Sequence, residues 1–253
     1  ARRRVRVVNR VLDDAGREVV VLRSTLDLPA GGSAPFRQTS GPIVRPRLWS
    51  PDSPALYRVH TEVRDGDADG ARLADRVESP LGIRRVAVDA QRGFLLNGRP
   101  HRLTGTNRHQ DRPGLGNALP DALHREDVRL VKATGFDFLR LAHYPQDPAV
   151  LDETDRQGLV VWEEIPIVNL ISTSAAFAEH SERMLVEMIR QHYNHPSVAL
   201  WGYMNEVMLT RPDPVPPGYH ERIVALARRR GARARAEDPT RPTATAISLD
   251  EID

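Results

Sequence analysis

Four short polar clusters, Asn107-Arg108-His109-Gln110-Asp111, His143-Tyr144-Pro145, Glu163-Glu164 and Asn205-Glu206, each close a run of apolar, strand-favouring residues. Carboxylates, one of them beside an amide donor, point to carboxylate acid/base chemistry. Cleavage of a glycosidic bond needs two carboxyl groups astride it, one of them protonated. That acid must keep its proton at working pH, which burial near other carboxylates favours. Other chemistries lose support. No Gly-rich phosphate loop follows a strand, and neither a Gly-x-Ser-x-Gly turn nor a His-Glu-x-x-His motif occurs. With 0 cysteines there is no disulfide, thiolate metal site or thiol nucleophile. His192 and His195 lie three apart, but Pro196 ends the helix there and no third ligand is evident. No metal and no cofactor are expected.

The clusters need elements to bring them together. From residue 90 to 253 strand-like runs alternate with helical ones: His101–Thr106, Phe136–Ala142, Leu159–Ile165, Ser197–Met204 and a fifth over Pro242–Ile247. Between them Asp121 can cap a helix ending at Gly135, Asp147-Pro148 opens one ending at Gly158, and a third spans Ser174–Tyr193. That alternation predicts βα units around a parallel sheet. If the sheet is a barrel, its C-terminal strand ends form one face, and the four clusters converge there. Residues 1–89 read instead as short strands, Val5–Val8, Glu18–Leu22 and Leu56–Val63, between turn clusters, which predicts a β-sandwich with no chemistry of its own.

Composition narrows the remainder. The chain has 253 residues, 40% hydrophobic, and 36 basic side chains nearly cancel 34 acidic ones. It is long enough for one large or two ordinary folded domains, and too balanced in charge for disorder. No apolar stretch reaches the roughly 20 residues of a membrane span, so no membrane partner is expected. Arg2–Arg4 and the run Arg228, Arg229, Arg230, Arg233, Arg235 are the two basic clusters. The second lies on an amphipathic helical pattern starting near Tyr219, so a solvated helix face is preferred over a nucleic-acid surface. No leader is visible, which favours the cytoplasm, although the opening residues look truncated.

Some segments match a known pattern jointly. Asn194-His195-Pro196-Ser197 through Tyr203-Met204-Asn205-Glu206 resembles the acid/base motif of glycoside hydrolase family 2, which contains β-galactosidases, β-glucuronidases and β-mannosidases. Leu48-Trp49-Ser50-Pro51 through Tyr57 is similar to the end of that family's immunoglobulin-like domain. Gly105–Asp111 and Arg140–Pro145 resemble its first two barrel strand ends. The resemblance implies an immunoglobulin-like β-sandwich followed by the N-terminal half of a (β/α)₈ TIM barrel. It implies a retaining exo-β-glycosidase, with β-galactosides the preferred substrate, β-glucuronides or β-mannosides as alternatives, and a homo-oligomer left open for the full-length enzyme. By the same resemblance Glu206 is the general acid/base and Asn205 holds the sugar's 2-hydroxyl. His109, Asp111 and His143 line the sugar pocket, and Arg140 and Glu164 form its charged floor; Glu163 has no assigned role.

Two features depart from the family. Ile165-Pro166-Ile167-Val168-Asn169 stands where metal-dependent β-galactosidases carry an acidic residue and a histidine, so no magnesium site of that kind is expected. The stretch from Phe94 onward, about 160 residues, is shorter than the roughly 250 of a full barrel. The expectation is therefore an internal fragment that lacks the family's nucleophile. The terminal Asp250, Glu251 and Asp253 are poor substitutes for it. A non-catalytic carbohydrate-binding protein is the rival reading. A half barrel also exposes strand edges, so self-association is expected of the isolated chain.

Overall fold

The computed structural model describes residues 2–246, so Ile247 and the terminal acidic residues Asp250, Glu251 and Asp253 lie outside the described residues. The chain forms two compact units, one of residues 1–49 and 55–83, the other of residues 50–54 and 84–253.

In the first unit β1 (Arg3–Leu12), β2 (Glu18–Leu28), β3 (Tyr57–Asp65) and β4 (Arg72–Leu81) form one antiparallel sheet in the order β2-β1-β3-β4. Val5, Val7, Val8 and Val11 of the inner strand β1 are buried, as are Trp49 and Tyr57. Gln38, from the long connection between β2 and β3, donates to the Val7 carbonyl at 3.2 Å and to Ser24 Oγ at 2.8 Å, which ties that connection to the sheet. The N-terminal arginines are neutralised locally: Arg2 pairs with Asp27, Arg3 with Asp65 and Arg4 with Asp67.

The second unit opens with a small antiparallel sheet of β5 (Val86–Asp89), β6 (Gly93–Leu96) and β7 (Arg99–Pro100). Asn97 and Gly98, both with positive φ, make the tight turn between β6 and β7. Then come β8 (Gly105–Arg108), α1 (Asp121–Ala133), β9 (Phe138–Leu141), α2 (Pro148–Gln157), β10 (Val160–Glu164), α3 (Ala175–His192), β11 (Val198–Asn205), α4 (Tyr219–Glu237) and β12 (Thr243–Ala246). The five strands are parallel and pair in chain order. A sheet that grows in one direction without a switch point is the winding of a barrel rather than of a doubly wound sheet.

Alternation along the strands separates two layers. Leu139 and Leu141 of β9, and Val161 of β10, join a single core with Val128, Leu151, Leu185, Met188 and Ile189 from the helices. Arg140, Trp162 and Glu164 occupy the intervening positions and belong to the other face. The first strand starts later than the run His101–Thr106 predicts, because His101 Nε2 and the Thr104 amide are both held by the Asp137 carboxylate, at 2.8 and 2.7 Å, ahead of the paired segment.

Helix ends follow local chemistry with one correction. Asp147 caps α2 by accepting from the Ala149 amide at 2.8 Å, Pro148 follows it, and Gly158 closes the helix at φ 70°. An Asp147→Ala variant is expected to lose about 1 kcal/mol, read as a fall of roughly 2–4 °C in Tm; an unchanged melt would contradict the cap. Asp121 is not the cap of α1. Pro120 occupies that position, and the Asp121 carboxylate instead pairs with Arg125 one turn on, at 3.1 Å.

The start of β11 is fixed by Asp155 on α2, which accepts from the Ser197 amide at 2.9 Å and holds His195 Nδ1 at 2.7 Å. Burial alone would lower the His195 pKa, but the hydrogen bond and the charge of Asp155 outweigh it and the net shift is upward from 6.5. A raised folded value means that the stabilisation is complete below about 6.5 and is lost as pH rises through the folded pKa. Thermal stability is therefore expected to fall as pH rises above that point, and His195→Gln to remove this component of the slope. Identical profiles for the two proteins would contradict it.

The basic run on α4 is not wholly a solvated face. Arg230 is fully buried, with Nη2 donating to Ser181 Oγ and the guanidinium 5.6 Å from the Phe177 ring centroid. Burial lowers its pKa to about 10. It shares the buried side of α4 with Ile223, Ala227 and Ala234. Its neighbours Arg229 and Arg233 pair with Glu182 and Glu237. Among the described residues no helix is long and apolar enough to cross a membrane.

Candidate active site

Parallel pairing sets the site. Asn107 lies opposite Arg140 and Arg140 opposite Trp162, while Glu164 lies opposite Gly202. Arg140 is the hub. Its Nη2 donates to Glu164 Oε2 at 2.9 Å and to Asn205 Oδ1 at 2.7 Å, and its guanidinium carbon sits 4.1 Å from the Trp162 ring centroid. Glu164 is 1% exposed and its other oxygen, Oε1, meets His143 Nδ1 at 2.6 Å. Arg140 Nη2 also approaches His143 Nδ1 at 3.4 Å. The much shorter Glu164 contact decides the tautomer: Nδ1 carries the proton and donates to the carboxylate, leaving Nε2 for another partner.

Gly202 makes this packing sterically feasible. A Cβ there would lie 2.3 Å from Trp162 Nε1 and 2.5 Å from Glu164 Cβ, so the close approach of β10 to β11 requires a glycine. The orientation of the Asn205 amide is equally determined. Arginine can only donate, so the oxygen faces Arg140 and Nδ2 faces elsewhere. Asn205 Nδ2, Arg140 Nε and Trp162 Nε1 are buried donors with no acceptor among the described residues.

Glu206 follows directly. It ends β11 in a left-handed conformation, φ 52°, which a glutamate rarely adopts and which is often found where function dictates geometry. Its amide donates to the Ala246 carbonyl at 2.6 Å, and its carbonyl accepts from Leu209 N at 3.0 Å. Glu206 is exposed in this chain. The left-handed turn takes it out of the strand, and the charged groups of the floor engage one another instead.

Of the residues singled out from sequence, Arg140, His143, Glu164 and Asn205 form one bonded cluster, and Glu206 is covalently next to it. His109 joins at its edge, its ring centroid 5.2 Å from that of His143 in an edge-on arrangement. Asp111 lies in the exposed loop beyond and takes no part in the cluster. Glu163 belongs to the opposite layer: fully buried, it holds His192 Nδ1 at 2.8 and 2.9 Å, tying β10 to α3. Arg108 turns to α1, where it meets Asp127 at 2.7 Å and His124 at 3.0 Å. Trp162 and Gly202 are the residues that sequence reasoning missed. Trp162 could have been found, since it lies two residues before Glu164 on the same strand and therefore on the same face. Among the described residues no group of three His, Cys, Asp or Glu side chains could hold a metal ion.

Family models match nearly the whole described chain. The domain description "Glycosyl hydrolases family 2" matches residues 1–84, and "Glycosyl hydrolases family 2, TIM barrel domain" matches residues 86–248. The chain belongs to glycosyl hydrolase family 2. Family members named for different sugars resemble it. A β-glucuronidase of Bacteroides fragilis is 41% identical over 216 residues, covering 82% of this chain and 29% of the relative. A β-galactosidase of Bacteroides ovatus is 34% identical over 209 residues, covering 81% of this chain and 24% of the relative. The crystal structure of a Bacteroides uniformis β-glucuronidase superposes with a TM-score of 0.91 at 37% identity, covering 97% of this chain and 30% of that one. The chain thus combines the family's immunoglobulin-like sandwich domain with a portion of its TIM barrel. The chain spans less than a third of the length of these relatives.

Proposed function

We propose that this chain carries the acid/base half of a retaining exo-β-glycosidase, with Glu206 as the general acid/base. Asn205, Arg140, Glu164, His143, His109 and Asp111 shape the subsite for the terminal sugar. The observation that carries this reading is the bonded cluster at the strand ends, in which Arg140 holds Glu164 and Asn205, and Glu164 holds His143, directly beside the exposed Glu206. Asn205, locked by Arg140 as a donor, meets the oxygen of a ring hydroxyl next to the reacting carbon. That bond strengthens as the oxocarbenium-like transition state forms. His143, with Nε2 uncommitted, serves a second hydroxyl.

Retention requires a second carboxylate about 5 Å from the acid/base. Glu164 has both oxygens bonded, to Arg140 and His143, which disfavours it as the nucleophile. That group is therefore assigned to a residue outside those described. On substrate, the relative at 41% identity points first to β-glucuronides, and the one at 34% to β-galactosides, the preference drawn from the sequence motifs. A panel of 4-nitrophenyl β-D-glycosides presented to the full-length protein decides between them. Turnover of the glucuronide or galactoside with the β-anomer of the free sugar released first is the expected result. Sugar binding by calorimetry without turnover would favour the non-catalytic alternative.

A further inference from the structure

Side chains continue the β8–β9 pairing into the loops beyond it. Just past the paired residues Arg108 and Leu141, the Ala142 amide donates to the Arg108 carbonyl at 3.0 Å. Gln146 then grips Arg108 at both ends: its Nε2 donates to the same carbonyl at 2.7 Å, and its Oε1 accepts from the guanidinium. Only one orientation of the Gln146 amide allows this, since a guanidinium can only donate and a carbonyl only accept. Both residues are buried. Further out, the Gln110 amide donates to the Tyr144 hydroxyl at 3.1 Å, and Gln110 Oε1 accepts from the Asp147 amide at 2.9 Å.

These bonds alternate with the residues proposed to meet the sugar. His109 stands between Arg108 and Gln110, each held by the loop after β9, and His143 stands between Ala142 and Tyr144, each bonded to the loop after β8. None of the bonds uses a ring nitrogen of either histidine. The two imidazoles meet edge-on with centroids 5.2 Å apart, and the Tyr144 ring lies 6.2 Å from that of His109. We infer that Tyr144 is a positioning residue: through the Gln110 amide it holds His109 in register with His143, so that the two loops present one preset pair of imidazoles to neighbouring hydroxyls. This rests on the reading of His109 and His143 as sugar-binding residues. The physical reason is preorganisation, because a loop left free to shift would have to be ordered by the substrate itself, which costs affinity and alignment.

The test is a double-mutant cycle in the full-length enzyme, on an aryl β-glycoside of whichever sugar it cleaves. Tyr144→Phe keeps the ring and removes one hydroxyl, so its melt should stay close to that of the wild type while kcat/KM falls roughly tenfold. In a His109→Ala background the same substitution should cost less than about twofold, because the group it positions is gone. A residue that only supported the fold would give the same loss in both backgrounds. That result, or an unchanged kcat/KM in Tyr144→Phe, would overturn the assignment. Should the wild type cleave no glycoside, the hydrolase reading itself fails, and crystal structures of the full-length wild type and Tyr144→Phe then read the interlock separately. The His109 ring is expected to leave its edge-on contact with His143 in the variant, and unmoved rings would overturn the positioning role.

Discussion

Glu206→Gln is expected to lower kcat on a β-glycoside with a poor leaving group by about 10²–10⁴-fold, the usual contribution of a positioned acid or base. The loss will depend on the substrate. A 2,4-dinitrophenyl glycoside needs little protonation of its leaving oxygen, so its first step is largely spared, and hydrolysis of the glycosyl-enzyme, which needs the general base, becomes limiting. Release of dinitrophenol should then show a burst followed by slow turnover. A residue that only supported the fold would depress both substrates alike. The left-handed backbone at Glu206 adds a control: glutamine keeps the side-chain length and changes no atom of the backbone, so stability should barely move.

Arg140→Met is the second large effect. It removes the cation bonded to both Glu164 and Asn205, which leaves a carboxylate that is 1% exposed with His143 as its remaining side-chain partner among the described residues. Breaking a buried pair from one side costs about 3–5 kcal/mol, to be read by denaturant or thermal unfolding. Activity should fall as well, since Asn205 loses the contact that fixes its amide. Adding Glu164→Gln to the same variant removes the stranded charge, so the double variant should recover part of the stability lost by Arg140→Met. If the two single losses simply add, the ion pair is not what holds the floor together.

The sequence was most readable where local chemistry and periodicity agree. Asp147-Pro148 and Gly158 marked both ends of a helix because capping depends on a few adjacent atoms. Strand ends carrying His143, Glu164 and Asn205 were recognisable because each follows an apolar run, and a barrel leaves only one face for them. Other features depended on contacts remote in sequence. The strand Arg72–Leu81 shows no apolar alternation, because it lies at the sheet edge with most of its residues exposed. Arg230 read as one more charge in a basic run, yet it falls at helical spacing with Ile223, Ala227 and Ala234, and tertiary packing placed it inside. The exposure of Glu206 likewise reflects a backbone conformation that its residue type does not announce.

The floor places Asn205 directly before Glu206. Arg140 fixes Asn205 as a donor, Trp162 packs against its guanidinium, Gly202 gives room to Trp162 and Glu164, and the chain then turns sharply to present Glu206 to solvent. The measurement that tests this most directly is the reaction of the full-length Glu206→Ala variant with azide, using an activated aryl β-glycoside of the sugar that the wild-type enzyme cleaves. Azide needs no general base, so the account predicts that it restores turnover in a concentration-dependent way and that the product is the β-glycosyl azide. Unchanged rates with azide, or the α-glycosyl azide as product, would contradict the assignment of Glu206 as the acid/base of a retaining enzyme.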